Sequence, residues 1–107
     1  MKVLDQGHKY SLKNNKTDGE VILTFFKDEI INGSGYEGTT NQEVLRCLID
    51  RVKFLDKQLS HPVNSKIIKH LRSAIVLHEQ RHLDRLLDKN VEVEELKTFT
   101  DSHIVSF

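Results

Sequence analysis

The sequence holds little of what staples, interrupts or anchors a fold. A single cysteine, Cys47, excludes an internal disulfide and fits a reducing compartment. A single proline, Pro62, leaves most of the chain free of the residue that breaks helices. No apolar run approaches the ~18 residues of a membrane span. The opening MKVLDQGHKY lacks the apolar stretch of a signal peptide. Contact with a membrane is therefore not expected, and a cytoplasmic location is. Sixteen basic and sixteen acidic residues cancel, so the molecule as a whole does not attract DNA or RNA. There is no Walker loop, no G-x-G-x-x-G and no G-x-S-x-G. Gly33, Gly35 and Gly38 read as turn formers, because no lysine anchors them as a phosphate cradle.

What is present suits one small folded domain. The 107 residues are 37% hydrophobic and 30% charged, within the range of folded chains. A domain of this length buries only about two-thirds of its unfolded surface. Self-association is a natural way to bury more.

Two kinds of periodicity divide the chain. His8–Lys13 alternates, with Tyr10 and Leu12 against Lys9, Ser11 and Lys13, as a half-buried strand does. Asn14–Gly19 is a turn cluster ending in Asp-Gly. Glu20–Lys27 is β-branched and aromatic and reads as the second strand of a hairpin. Ile30-Ile31 is a candidate third strand. After Gly38, Thr40 and Glu43 have capping-box spacing. Leu45, Leu48, Ile49, Val52, Leu55 and Leu59 then recur at three and four residues, which predicts a helix over Thr40–Leu59. Ser60-His61-Pro62 interrupts it, and proline is tolerated in the first turn of a new helix. Ile67, Ile68, Leu71, Ala74, Ile75, Leu83, Leu86 and Leu87 predict the second helix, Pro62–Lys89. So short a connection requires the two helices to run antiparallel. The expected class is α+β, one domain: a β-rich part over 1–37, a helical hairpin over 38–90, and a tail or short strand over 91–107.

The hairpin carries the candidate chemistry. From Arg46 to Arg85 it holds nine Lys/Arg against four acids, a local excess that suits a small anion. His78-Glu79-Gln80-Arg81-His82 is a literal H-E-x-x-H. Such a pair on a helix binds zinc, with the glutamate as general base. With Ile67 set at zero on the helical wheel, His78 falls near 20° and His82 near 60° by the 100° step. Both histidines are then expected within the apolar stripe. Arg81 and Asp84 occupy positions where zinc proteases favour uncharged residues. Glu92, Glu94 and Glu95 are possible third ligands, and no spacing selects one. The expected reading is neither metal nor catalytic residue. Cys47 is expected to be a buried structural thiol. Arg81 and Arg85 stand one helical turn apart, a spacing at which two guanidinium forks grip a phosphate or diphosphate.

The pattern of the hairpin resembles a known family. Gly38-Thr39-Thr40-Asn41, Val44-Leu45, Leu48-Ile49, Arg51, Phe54-Leu55, Asn64, Leu71-Arg72, Ala74, Arg81, Asp84 and Arg85 look like the helical hairpin of phage immune-nucleotide sponges. These are the Thoeris anti-defence and anti-CBASS sponges, and the Thoeris branch is the nearer. The likeness runs without a gap from Gly38 to about Val91, half the chain. It implies sequestration without catalysis and without a cofactor. The ligand would be a cyclic ADP-ribose-type signal or, in other members, a cyclic di- or trinucleotide. It also implies dimers and hexamers, with ligands held between subunits in the host cytoplasm. By the resemblance, the base-stacking aromatic falls on Phe54 and the asparagine position on Asn64. The arginines for ribose and phosphates fall on Arg81 and Arg85. Relatives often carry a Pro-Cys-Arg-Glu run before that asparagine, where this chain has Ser60-His61-Pro62-Val63. Relatives also lack H-E-x-x-H while keeping the adjoining arginines and aspartate.

Overall fold

The structure, a computed structural model, describes residues 1–28 and 35–88. The chain divides into two compact units, Met1–Asn41 and Gln42–Phe107. The architecture is α+β: strands β1 (Lys2–Asp5), β2 (Lys9–Lys13) and β3 (Glu20–Thr24), then helices α1 (Asn41–Gln58) and α2 (Val63–Asp88).

The strands form an antiparallel sheet in the order β1-β2-β3. Val3, Tyr10 and Leu23 stand in one cross-strand row. Leu12 and Val21 form the next row on that face. The Tyr10 ring meets Phe25 edge-on, with centroids 6.0 Å apart. On the other face Ser11 is buried, and its hydroxyl donates to Glu20 Oε2 at 2.6 Å. The predicted hairpin is thus present, with a third strand that the sequence reading did not place. β1 is four residues long and irregular between Val3 and Asp5, too short to show a clear alternation. Ile30-Ile31, the expected third strand, lies outside the described residues.

Turn chemistry sets the register. His8 N–H donates to Asp5 O at 2.9 Å, and Gly7 between them has φ +82°. That is the third place of a four-residue turn, where a positive φ favours glycine. Between β2 and β3 the Asn14 side chain accepts from Lys16 N–H at 2.9 Å, and Thr17 Oγ1 accepts from Gly19 N–H at 3.1 Å.

β3 ends at Thr24, short of the predicted Lys27, because the chain beyond it pairs with a different segment. Phe26 N–H donates to Thr39 O, and Thr39 N–H to Thr24 O. Lys27 and Tyr36 exchange both backbone bonds. Gly38 makes this approach possible: a Cβ there would lie 2.5 Å from the Phe25 carbonyl carbon and 2.6 Å from Phe26 N. The Tyr36 hydroxyl then donates to Asp5 Oδ2, which also accepts from Lys27 Nζ at 3.2 Å. The Tyr36 and Lys27 bonds hold the Asp5 carboxyl below its ordinary value. The same carboxylate pushes the Tyr36 phenol up to about 12.

The second unit is the predicted antiparallel helix pair. α1 begins directly after Thr40 and ends one residue before the predicted Leu59. Contacts between Arg46 and Glu79 at one end and Asp56 and Asn64 at the other fix the antiparallel sense. Ile75 is fully buried and Ile49 nearly so. These two form the centre of the seam. Leu48, Leu55, Leu59, Ile67 and Leu87, all assigned to the stripes by spacing, are exposed.

Candidate ligand-binding site

The turn between the helices is built around one carboxylate. Asp56 Oδ1 accepts from His61 N–H at 3.1 Å and from Asn64 Nδ2 at 2.9 Å. Together, the Asn64 amide first and the His61 backbone next, they hold the Asp56 carboxyl below its ordinary 3.8. The His61 side chain caps the first N–H of α2. Its Nδ1 accepts from Val63 N–H at 3.1 Å, and the His61 carbonyl accepts from Asn64 N–H at 3.0 Å. Pro62 lies directly before α2, where a missing N–H costs nothing. Asn64, half-buried, therefore has part of its amide committed to the turn.

The far end of the seam is polar. Glu79 is 4% exposed, and its Oε1 accepts from Arg46 at 3.3 Å. Its Oε2 has no hydrogen-bond partner among the described residues. Arg46 also lies 3.6 Å from Glu43 one turn earlier on α1. This corrects the wheel. His78 and His82 are half-buried, and the deepest residue of the H-E-x-x-H motif is the glutamate. The wheel was centred on Ile67, which is exposed, while the true centre is Ile75. On a wheel centred on Ile75, Glu79 lies about 40° to one side of the middle of the seam, and His82 and His78 lie about 20° and 60° to the other, so angle alone does not single out the glutamate. Among the described residues no three His, Cys, Asp or Glu side chains stand together as a metal set. Glu92, Glu94 and Glu95 lie outside those residues.

Cys47 also departs from expectation. It is exposed, because it sits two residues before Ile49 and so near the opposite side of α1. Its residue type suggested burial; its helical position forbids it.

Three of the four residues the resemblance singled out, Phe54, Arg81 and Arg85, are exposed. Phe54 is 57% exposed. Five residues from Ile49, it lies about 140° around α1 from the seam. Arg81 and Arg85 are exposed one turn apart on α2, and among the described residues neither has an ion-pair partner. Their guanidinium groups are free to make charge-assisted bonds to an anion. Asn64 and Arg81 are seventeen residues apart on α2, which is about 25 Å along the axis. The four residues therefore do not converge within one chain. Asn64 marks the turn end of the hairpin, and the arginines mark the opposite end.

Two further features were not anticipated. Lys69, Arg72, Ser73, Val76 and Leu77 line a shallow groove of about 430 Å³ along α2. Asp56 organises the turn, and its signal was available: an aspartate five residues before His61 and eight before Asn64, beside the only proline. Its partners are side-chain and backbone groups rather than apolar neighbours, so hydrophobic periodicity passed over it. No helix among the described residues is long and apolar enough to cross a membrane. Comparison with known proteins finds no matching family model, no matching curated protein and no matching solved structure.

Proposed function

We propose that the protein is a non-catalytic viral sponge for a cyclic ADP-ribose-type immune nucleotide. It would hold the signal in the host cytoplasm and withhold it from bacterial anti-phage defence. The observation that carries this reading is the outward aromatic–arginine set. Phe54, Arg81 and Arg85 stand at the positions the resemblance assigns to base and phosphates, and all three are exposed rather than used in packing. An aromatic face stacks a base for about 1–3 kcal/mol. Paired guanidinium groups suit a diphosphate.

The separation of about 25 Å between Asn64 and Arg81 gives the reading a structural requirement. One nucleotide cannot touch both ends of one hairpin. A complete pocket joins the turn end of one copy to the arginine end of another, so the working form is a dimer or a hexamer. The exposed leucines Leu48, Leu55 and Leu59 supply apolar surface for such an assembly.

Calorimetry with cyclic ADP-ribose tests the proposal, followed by heating the complex and identifying what is released. Heat of binding and intact nucleotide in the supernatant are expected. Arg85→Ala should weaken binding about tenfold to hundredfold, the worth of a charge-assisted bond. No heat, no thermal shift and no released nucleotide would end this reading.

A second reading, a sponge for cyclic di- or trinucleotides, draws on the basic groove of Lys69 and Arg72. Competition separates the two. If cyclic dinucleotides bind Arg85→Ala unchanged while cyclic ADP-ribose is lost, the protein has two independent sites.

A further inference from the structure

Asp56 is not one of the four residues of the proposed site, yet it holds one of them directly. A carboxylate only accepts hydrogen bonds. Asn64 must therefore turn its NH₂ group, not its carbonyl, toward Asp56, and the 2.9 Å contact from Nδ2 follows that rule. The second bond, from His61 N–H at 3.1 Å, reaches the same oxygen and ties the carboxylate to the turn. Asn64 is the second residue of α2, so its backbone is also fixed by the bond to His61 O. With backbone and amide both fixed, the side chain has its Oδ1 and a single N–H left to offer.

We infer that Asp56 is a positioning residue that presents Asn64 to the ligand as a hydrogen-bond acceptor. This rests on the proposed nucleotide-binding role of Asn64 and deepens it. An asparagine free to flip reads donors and acceptors alike. One locked by a carboxylate leads with its carbonyl oxygen and selects a ligand donor, a ribose hydroxyl or an exocyclic amine. Phosphate oxygens, which only accept, are left to Arg81 and Arg85. The site thereby divides its labour: neutral donor groups at the turn end, anionic groups at the arginine end.

The test has one arm that needs no ligand. In the ¹⁵N-labelled full chain, one Asn64 side-chain amide proton should be shifted downfield and slow to exchange. In acid it should move in step with protonation of the Asp56 carboxyl. Asp56→Ala should abolish that signature. Asp56→Asn, whose carbonyl still accepts both bonds, should preserve it. The second arm is calorimetry with cyclic ADP-ribose. Asp56→Ala should lose affinity about tenfold, and Asp56→Asn should stay within about threefold. An Asn64 amide that ignores Asp56 protonation in the unmodified chain overturns the assignment, whether or not the alanine variant folds. Equal affinity losses in the two variants also overturn it. If the unmodified chain binds no cyclic ADP-ribose but the amide signature is present, the nucleotide reading falls and the Asp56–Asn64 lock stands.

Discussion

The ion pair in the helix seam makes an asymmetric prediction. Removing one partner of a buried pair costs about 3–5 kcal/mol, because the other charge is stranded. The two partners are not equally buried, however. The side chain of Glu79 is 5% exposed and that of Arg46 is 19% exposed. Arg46→Ala strands Glu79 in the seam with no other cation from the described residues, so the cost should be near 3–5 kcal/mol. Glu79→Ala leaves Arg46 partly in water and still 3.6 Å from Glu43, so about 1–2 kcal/mol is expected. Replacing both, as Arg46→Met with Glu79→Leu, should be close to neutral, since the desolvation penalty disappears with the pair. Urea denaturation followed by helical circular dichroism measures all three. An Arg46→Ala cost no larger than that of Glu79→Ala would refute the reasoning, and so would a double variant as unstable as the worse single one. The same series bears on H-E-x-x-H. A glutamate that served as a metal-assisted general base would leave stability largely unchanged when removed and abolish a zinc-dependent hydrolysis.

Three other outcomes follow from the fold. Ile75→Ala should cost about 2–5 kcal/mol, while Leu77→Ser, at a residue 65% exposed, should stay within about 0.5 kcal/mol; comparable losses in denaturation would contradict the placement of the seam. Gly38→Ala forces a methyl group to within 2.5 Å of the Phe25 carbonyl carbon, so the bond from Phe26 N–H to Thr39 O should open and its amide exchange accelerate; unchanged exchange would show that the backbone yields freely. Tyr36, raised to about 12 by Asp5, contributes stability that is complete below the ordinary phenol value of 10 and is lost as pH rises through 12; ultraviolet titration should show a late phenolate step that Tyr36→Phe removes and Asp5→Asn moves earlier.

Both helices were legible because each repeats one signal over many residues. The capping box at Thr40 placed the start of α1, and Pro62 placed the start of α2 within a residue. β1 was not legible. Four residues with one irregular pairing carry no period to detect, and Lys2–Asp5 becomes a strand only because Tyr10 and Ser11 are there to pair with. The end of β3 was misread for a similar reason. Phe25, Phe26 and Lys27 have strand propensity, but only Phe25 still bonds back toward β2, to His8 O, while Phe26 and Lys27 bond to Thr39 and Tyr36 across a sequence gap that no local pattern spans. At the candidate site, spacing gave Arg81 and Arg85 their shared face. It could not give Asn64 its carboxylate partner, because hydrogen-bond commitments depend on atoms rather than residue classes.

Sorting the basic residues by commitment sharpens the electrostatic argument. Nine Lys/Arg against four acids between Arg46 and Arg85 leave an excess of five. Arg46 and Glu79 neutralise each other in the seam, which removes one charge of each sign and leaves the excess intact. The whole excess now belongs to the outer surfaces, where it acts on solutes rather than on packing. Asp56 withdraws further, with its carboxylate turned to His61 N–H and the Asn64 amide. Of the four acids, two are thus committed to holding the hairpin together, while Arg81 and Arg85 are not. An internal polar network that holds two acids and only one arginine is an economical way for a neutral protein to present a cationic surface. It makes the cationic surface a property of the folded hairpin, one that composition alone conceals.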